Sequence, residues 1–158
     1  AKTIDAVVNA NEKVNRALKA GAYAVGAEVE INEIPGYLPL QQEPTLGYLF
    51  AENIQGFIGK ENIIEGVDLT GSTDAGDVSH IIPTLHPTVG GFAGNAHSKD
   101  FKIVDPEMAY IIPAKAMALT VVDLLFDEAK LAKELKAKFK PKFTKASYLK
   151  FWDELIKQ

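Results

Sequence analysis

Mostly apolar residues recur at helical spacing over the first 25 positions of the chain, which predicts an amphipathic helix. The residues that share this stripe are Ile4, Val7, Val8, Asn11, Val14, Leu18, Ala22 and Val25. Thr3 occupies an N-cap position and Asp5 lies in the first turn, so we expect the helix to begin next to Thr3.

Apolar and polar residues then alternate from Ala27 to Asn32, which predicts a strand with one face in water. One helix and one strand cannot bury a core between them, so this pair requires further sheet. We expect the missing strands to lie in chain that precedes Ala1.

A connector rich in proline, residues 35–44, separates this pair from a second module. Pro44 is expected as the first residue of a helix because its fixed φ suits that position, and Gly59 is expected to cap the end. The apolar face of this helix consists of Leu46, Leu49, Phe50, Ile54, Phe57 and Ile58. Residues 67–69 and 78–82 are predicted to be short strands.

Residues 105–107 (Asp-Pro-Glu) signal the start of a helix, since they combine a capping carboxylate, a proline and an acid in the first turn. The helix they open, residues 108–126, is apolar nearly all round and is therefore predicted to lie between two layers. Pro113 should kink this helix without ending it. We expect a lysine-rich helix over residues 127–139 and a last amphipathic helix ending near Ile156.

Charge and composition exclude several classes of function. The net charge is −4 and Arg16 is the only arginine, which argues against a nucleic-acid surface. The absence of cysteine excludes disulfide frameworks, thiolate zinc clusters and cysteine nucleophiles. No stretch is expected to span a membrane, because the most apolar segment is interrupted by Pro113, Lys115 and Asp123.

Familiar catalytic motifs are absent from the sequence. The glycines of residues 90–94 lack the spacing of a dinucleotide-binding fingerprint, and neither Ser72 nor Ser79 lies in a nucleophile elbow. The remaining candidates for chemistry are Asp74, Asp77, His80, His86 and His97. Each has an ordinary alternative as a turn residue, a strand-face histidine or an exposed loop imidazole. A hydrolytic metal centre needs at least three protein ligands, which the chain does not obviously supply.

Four segments resemble the C-terminal part of the dinuclear metal amidohydrolases, the family of aminoacylases, carboxypeptidase G, hippurate hydrolase and the aminobenzoyl-glutamate hydrolases. They are residues 71–79 (GSTDAGDVS), 82–87 (IPTLHP), 96–98 (AHS) and 114–120 (AKAMALT). The branch of aminobenzoyl-glutamate hydrolase and β-alanyl-lysine dipeptidase is the most similar. Residues 21–30 (GAYAVGAEVE) are similar to the last helix and strand of that family's inserted lid domain.

The resemblance implies an α/β fold, namely the C-terminal part of an α/β metallopeptidase catalytic domain preceded by the last helix and strand of a ferredoxin-like lid domain. Residues 1–34 would be the remnant of the lid, which often carries the dimer contact in this family. Residues 35–44 would form the hinge and residues 45–140 the catalytic part. Residues 141–158 would form a helical tail that has no counterpart in the family.

The resemblance also implies a metal centre with two divalent ions, usually zinc and sometimes manganese or cobalt, and a metal-activated water. His97 would bind one ion, and Asp74 would orient a ligand. Gly90 and Gly91 would let the backbone approach the substrate, with a plain tight turn as the alternative. The general-base glutamate and the other ligands are expected outside this chain, so none of its residues is predicted to be catalytic and it should retain no metal alone.

Two hypotheses follow from these observations. In the first, the chain is the C-terminal fragment of a metal-dependent amidohydrolase or peptidase that cleaves N-acyl amino acids, aminobenzoyl amino acids or small dipeptides, and it is inactive alone. In the second, it is a self-sufficient small α/β module with a binding or scaffolding role. The first predicts that Asp77, His80 and His86 do not converge on His97.

The first hypothesis also sets the expected partners. They are a small amide or dipeptide substrate and a second copy bound through the lid domain, without nucleic acid or membrane. The absence of cysteine and of a secretory pattern fits a cytoplasmic enzyme.

Overall fold

The computed structural model describes residues 1–34, 36–67 and 71–156 and is mainly helical with few strands. Its helices are α1 (Ile4–Ala24), α2 (Pro44–Ile58), α3 (Ala75–Ser79), α4 (Ile112–Lys138) and α5 (Lys145–Ile156). The remaining elements are β1 (Phe92–Ala93), β2 (Lys102–Ile103), a 3₁₀ turn (Lys60–Asn62) and a π-helical turn (Glu107–Ile111). This mixed content is compatible with a piece of an α/β fold.

The chain divides into two compact units. The first consists of Ala1–Gln41, Leu69–Ile81 and Pro141–Gln158, and the second of Gln42–Asp68 and Ile82–Lys140. The lid, hinge and tail boundaries expected from the resemblance stay predictions. Pro35, at the start of the predicted connector, and most of the strand predicted at residues 67–69 lie outside the described residues.

Helix α1 of the first unit begins where its capping chemistry predicts. The Thr3 side chain accepts a hydrogen bond from the Ala6 backbone N–H at 3.2 Å, which satisfies one of the free donors of the first turn. The strand predicted from Ala27 to Asn32 is wrong, because the described residues offer these positions no partner strand. Alternation alone does not make a strand when there is no neighbour to complete its ladder.

The strand predicted at residues 78–82 is also wrong, because the stretch begins with the last two residues of α3 and continues as a turn. Gly76, Ser79 and His80 are buried whereas Val78 and Ile82 are exposed, so burial follows the spacing of a helix. Over five residues the helical period and the alternating period of a strand are hard to distinguish from sequence. Tertiary contacts determine which of the two structures forms. The Ser79 hydroxyl donates to the Gly76 carbonyl at 2.5 Å and accepts from the Gln41 backbone N–H at 2.9 Å.

Helix α5 confirms the last predicted helix and contacts α3 through an aromatic cluster. The cluster consists of His80, Phe143, Tyr148, Phe151 and Trp152, with ring centroids 5.3 to 6.3 Å apart. The Phe143 backbone N–H donates to the His80 carbonyl at 3.1 Å, and the Tyr148 hydroxyl donates to an Asp77 carboxylate oxygen at 3.1 Å. The tail therefore fixes α3 within the first unit.

Burial, and after it the hydrogen bond to Asp77, raises the pKa of the Tyr148 hydroxyl above its ordinary value of 10.0. Above pH 10 the folded chain therefore keeps a proton that the unfolded chain releases, so the free energy of unfolding should fall as pH rises. We expect Tyr148→Phe to reduce this fall, measured by urea titration of Trp152 fluorescence between pH 9 and 11. The exposed Tyr23→Phe is the control, and an unchanged slope in Tyr148→Phe would contradict the prediction.

The second unit has a small core between α2 and α4. Phe50, Ile54 and Ala116 form its centre, and Ala116 is fully buried. Around it pack Ile58, Ile63, Leu85 and Ile112. The predicted start of α2 at Pro44 is confirmed, with the Glu43 carboxylate accepting from the Leu46 backbone N–H at 2.9 Å. At the other end Gly59 has φ 80°, which suits a glycine cap.

The long apolar helix also begins as predicted. The Asp105 carboxylate accepts from the Met108 backbone N–H at 3.1 Å, and a π-helical turn leads into α4 just before Pro113. Proline has no N–H to donate to the preceding turn. The hydrogen-bond pattern before Pro113 is therefore that of a π-helix and not of an α-helix. The predicted boundary after residue 126 is confirmed by a kink, with non-helical backbone from Phe126 to Ala129.

The prediction that residues 108–126 lie between two layers is wrong for the described chain. The helical stretch Glu107–Lys138 is long and apolar enough to cross a membrane, because an 18-residue window within it contains no more than two charged residues. This finding corrects the expectation that no stretch of the chain is long and apolar enough to do so. A core helix of a soluble protein passes the same test, but such a helix is mostly buried. Here only 17% of the window is buried, and the buried residues before the kink, Ala109, Ala116 and Thr120, lie on one side of the helix.

Candidate functional site

His97 lies in the loop of a short hairpin in the second unit. Strands β1 and β2 pair antiparallel with Phe92 opposite Ile103 and Ala93 opposite Lys102. The loop between them is closed by stacking of Phe92 on Phe101, whose ring centroids are 5.1 Å apart at 11°. Backbone hydrogen bonds from Ser98 to Asn95 and from Phe101 to Ser98 shape the turns of the loop. A local hairpin therefore presents the histidine.

The backbone of His97 is in the left-handed region, with φ 63°, and its side chain is exposed. A residue with a Cβ pays about 1 to 2 kcal/mol for this conformation, which glycine avoids. Asp127, Glu128 and Ala129 have a similar φ, so this conformation does not test the role of His97, which stays a prediction.

Gly91 has a structural role within the same hairpin. Its φ is 93°, and its carbonyl accepts hydrogen bonds from the backbone N–H groups of Val104 and Asp105 at 2.9 and 3.1 Å. A Cβ at this position would lie 2.6 Å from the Asp105 carbonyl oxygen and 2.7 Å from the Ala109 nitrogen. In this structure Gly91 therefore lets the backbone of the hairpin approach the backbone at the start of the long helix. The neighbouring Gly90 is exposed and has ordinary space around it.

Asp74 belongs to the first unit, whereas His97, Gly90 and Gly91 belong to the second. Asp74 is exposed directly before α3, and its carboxylate accepts from the Thr73 hydroxyl at 3.2 Å. The roles expected for these four residues stay predictions.

Asp77, His80 and His86 have structural surroundings. His80 is 4% exposed, and its Nε2 lies 2.9 Å from the Pro39 carbonyl oxygen, so this ring nitrogen has its partner inside the first unit. Asp77 accepts from Tyr148, a partner 71 residues away that periodicity could not reveal. His86 is exposed, and its backbone N–H donates to the Gln42 side chain at 2.9 Å.

The donor groups of this chain do not by themselves fit a dinuclear metal centre. Among the described residues there is no group of three or more His, Asp or Glu side chains that could hold a metal ion. A structural or hydrolytic site of the kind that the resemblance implies needs three or four donors for each ion. His97 could supply one donor, and the others would have to come from elsewhere, so no catalytic step follows from this chain alone.

Comparison with known proteins finds two dipeptidases. The chain is 31% identical over 140 residues to the Xaa-Arg dipeptidase of Mus musculus, an alignment that covers 80% of this chain and 32% of that protein. It is 27% identical over 149 residues to the Xaa-Arg dipeptidase of Homo sapiens, covering 87% of this chain and 33% of that protein. No family model matches the chain, and no solved structure matches it.

The chain thus spans about a third of the length of the curated relatives that it matches. Both relatives cover most of this chain, so the similarity is not confined to one short motif. The similarity supports the general peptidase and amidohydrolase family for this stretch of sequence.

Proposed function

We propose that this chain is the C-terminal part of a metal-dependent dipeptidase and that it is inactive without the rest of the enzyme. The observation that carries the proposal is the unequal coverage of the alignments. Most of the chain aligns with a dipeptidase, yet it accounts for only 32% of that enzyme's length. An enzyme of this class would therefore need further chain to complete its site.

The geometry of the candidate site also supports a metal centre that is completed by residues outside this chain. The chain offers His97 in a strained, exposed hairpin loop, and the described residues offer no further donors grouped for a metal ion. We therefore infer that the complete enzyme holds two divalent ions, zinc or in some conditions manganese or cobalt, largely through residues outside this chain. The general base would also lie outside it.

The proposed substrates are small dipeptides, including those with arginine as the second residue. This substrate class rests on the names of the two relatives, which are Xaa-Arg dipeptidases. Aminobenzoyl-glutamate and β-alanyl-lysine are the competing substrates that the sequence resemblance suggests. We further propose a cytoplasmic enzyme that forms a dimer through its lid domain.

The test compares the chain alone with a hybrid in which it replaces the matching stretch of the Mus musculus relative. Hydrolysis of a dipeptide ending in arginine, of β-alanyl-lysine and of aminobenzoyl-glutamate is followed by release of the new amino group, with bound metal measured in parallel. We expect turnover and tightly held metal only in the hybrid and not in the chain alone. Turnover by the chain alone would contradict the proposal, as would a folded, metal-loaded hybrid that hydrolyses none of the three.

A further inference from the structure

The first half of α4 has two apolar sides, and only one of them is covered within the described chain. On the covered side, Ala116 is fully buried against α2 and Thr120 is 8% exposed. The Thr120 hydroxyl donates to the Ala116 carbonyl at 2.8 Å and lies 3.3 Å from the amide nitrogen of Asn53 on α2. This side of the helix is therefore satisfied.

The opposite side, which we call the outer face, is exposed and carries no charge. It consists of Ile111, the last residue of the π-helical turn, and of Ala114, Ala118, Val121, Val122 and Leu125 in α4. These positions recur at intervals of three and four residues, which places them on one side of a helix over about 21 Å. The large side chains among them are 44% to 61% exposed.

The charged residues of this part of the helix lie outside the outer face and have partners. Lys115 forms an ion pair with Glu107 at 3.5 Å, and its ammonium lies 5.7 Å from the centre of the Phe57 ring. Asp123 accepts from the Asn53 side chain at 2.8 Å. A helix that is apolar on both sides is typical of a position between two packed layers. The outer face therefore lacks the second of its layers.

The length of the two relatives beyond this stretch indicates the occupant. The alignments cover 32% and 33% of the relatives, so about two thirds of a protein of their length lies outside this chain.

We propose that the outer face of α4 is the surface on which the rest of the peptidase packs, namely the two thirds of the relatives' length that this chain does not span. This inference rests on the proposed function and adds the surface through which the two parts join. The occupant must present an uncharged, apolar face at least as long as this part of the helix, because a charge buried against it would be left unpaired.

The natural absence of cysteine allows a direct test with single-cysteine reporters. Val122→Cys places a thiol on the outer face, where the side chain is 59% exposed. Lys136→Cys is the matched control, exposed on the same helix but beyond the kink. Each variant is labelled with a maleimide in the chain alone and in the hybrid with the Mus musculus relative. Mass spectrometry of the reporter peptide measures the rate at each site.

We expect the hybrid to slow labelling at residue 122 about tenfold or more, because reaction would then require local opening of the interface, and to leave residue 136 within about twofold. Equal rates at residue 122 in the two proteins would overturn the proposal, and so would a hybrid that does not fold. A folded hybrid that protects residue 122 but shows no hydrolysis would overturn the proposed function alone.

Other occupants of the outer face give different results in the chain alone. Protection of residue 122 together with a dimeric mass in light scattering would assign the face to a second copy. Protection that appears only when phosphatidylcholine vesicles are added would assign it to a membrane surface. Either result would overturn the proposal, because the rest of the peptidase would not be the partner of this face.

Discussion

Gly76→Ala should lower the free energy of unfolding of the first unit by about 3 kcal/mol or more. A Cβ at this position would overlap the backbone carbonyl oxygen of Leu38 and lie 3.0 Å from its carbonyl carbon. Gly76 is buried in α3, and the obstacle is main chain, so no rotamer change of a neighbour relieves the overlap. Either α3 or the segment around Leu38 must move.

That movement would disturb the bonds that tie α3 to its surroundings. His80 donates to the Pro39 carbonyl through Nε2, and Ser79 accepts from the Gln41 backbone N–H. Both bonds join α3 to the segment that the new methyl group would push away. Each buried polar group left without its partner adds to the loss of stability, which is why the expected effect exceeds that of an ordinary overpacked site.

Trp152 gives the measurement, because it is the only tryptophan and lies in the aromatic cluster of the same unit. The urea midpoint of its fluorescence should fall sharply in Gly76→Ala. Gly21→Ala is the matched control, since Gly21 lies in α1 of the same unit with no heavy atom near the position of a Cβ. It should gain up to about 1 kcal/mol through helix propensity. Equal midpoints for the two variants would contradict the prediction.

The helix ends were predictable from sequence because local chemistry decides them. Thr3, Pro44 and Asp105 each act within three or four residues of their own position, and all three predicted helix starts are confirmed. The break after residue 126 followed from the change from an apolar to a lysine-rich pattern, and the backbone leaves the helical region there. Such signals need no knowledge of distant partners.

The errors concern features that depend on the rest of the molecule. Residues 27–32 alternate like a strand, but a strand exists only beside a partner, and the described chain provides none for them. Residues 78–82 are too few to separate a helical period from an alternating one. The number of layers packed on α4 could not be predicted from its sequence. A helix that is apolar on two sides is suited to burial on both, but its sequence does not show whether the covering layers belong to this chain.

The candidate site divides in the same way. The resemblance of residues 96–98 to the metal amidohydrolases selected His97 from sequence, and the hairpin that presents it is local. The partners of Asp77 and His80 come from Tyr148 and Pro39, at separations of 71 and 41 residues, so their structural roles were beyond any spacing argument. The roles of Asp74, Gly90 and Gly91 depend on what the rest of the enzyme brings to them, and they stay predictions.

In the hybrid with the Mus musculus relative, His97→Ala is expected to lower kcat/KM for a dipeptide ending in arginine by at least about a hundredfold. Loss of a residue that only orients a metal ligand typically costs ten- to a hundredfold in affinity or activity, and loss of a ligand should cost no less. Bound metal should fall in parallel, which separates a ligand from a residue that contacts substrate only. The folded state should tolerate the change, since the side chain is exposed and alanine removes no buried contact.

His86→Ala is the matched control for this variant, because His86 is another exposed histidine of the second unit whose backbone, and not its ring, makes the hydrogen bond to Gln42. It should keep its activity within about twofold and its full metal content, as is usual for a surface substitution away from a site. Equal activity and equal metal content in the two variants would remove His97 from the proposed centre. The strained backbone of its loop would then have to serve the hairpin alone, and His97→Gly, which relieves the left-handed strain, would raise stability at no cost in turnover.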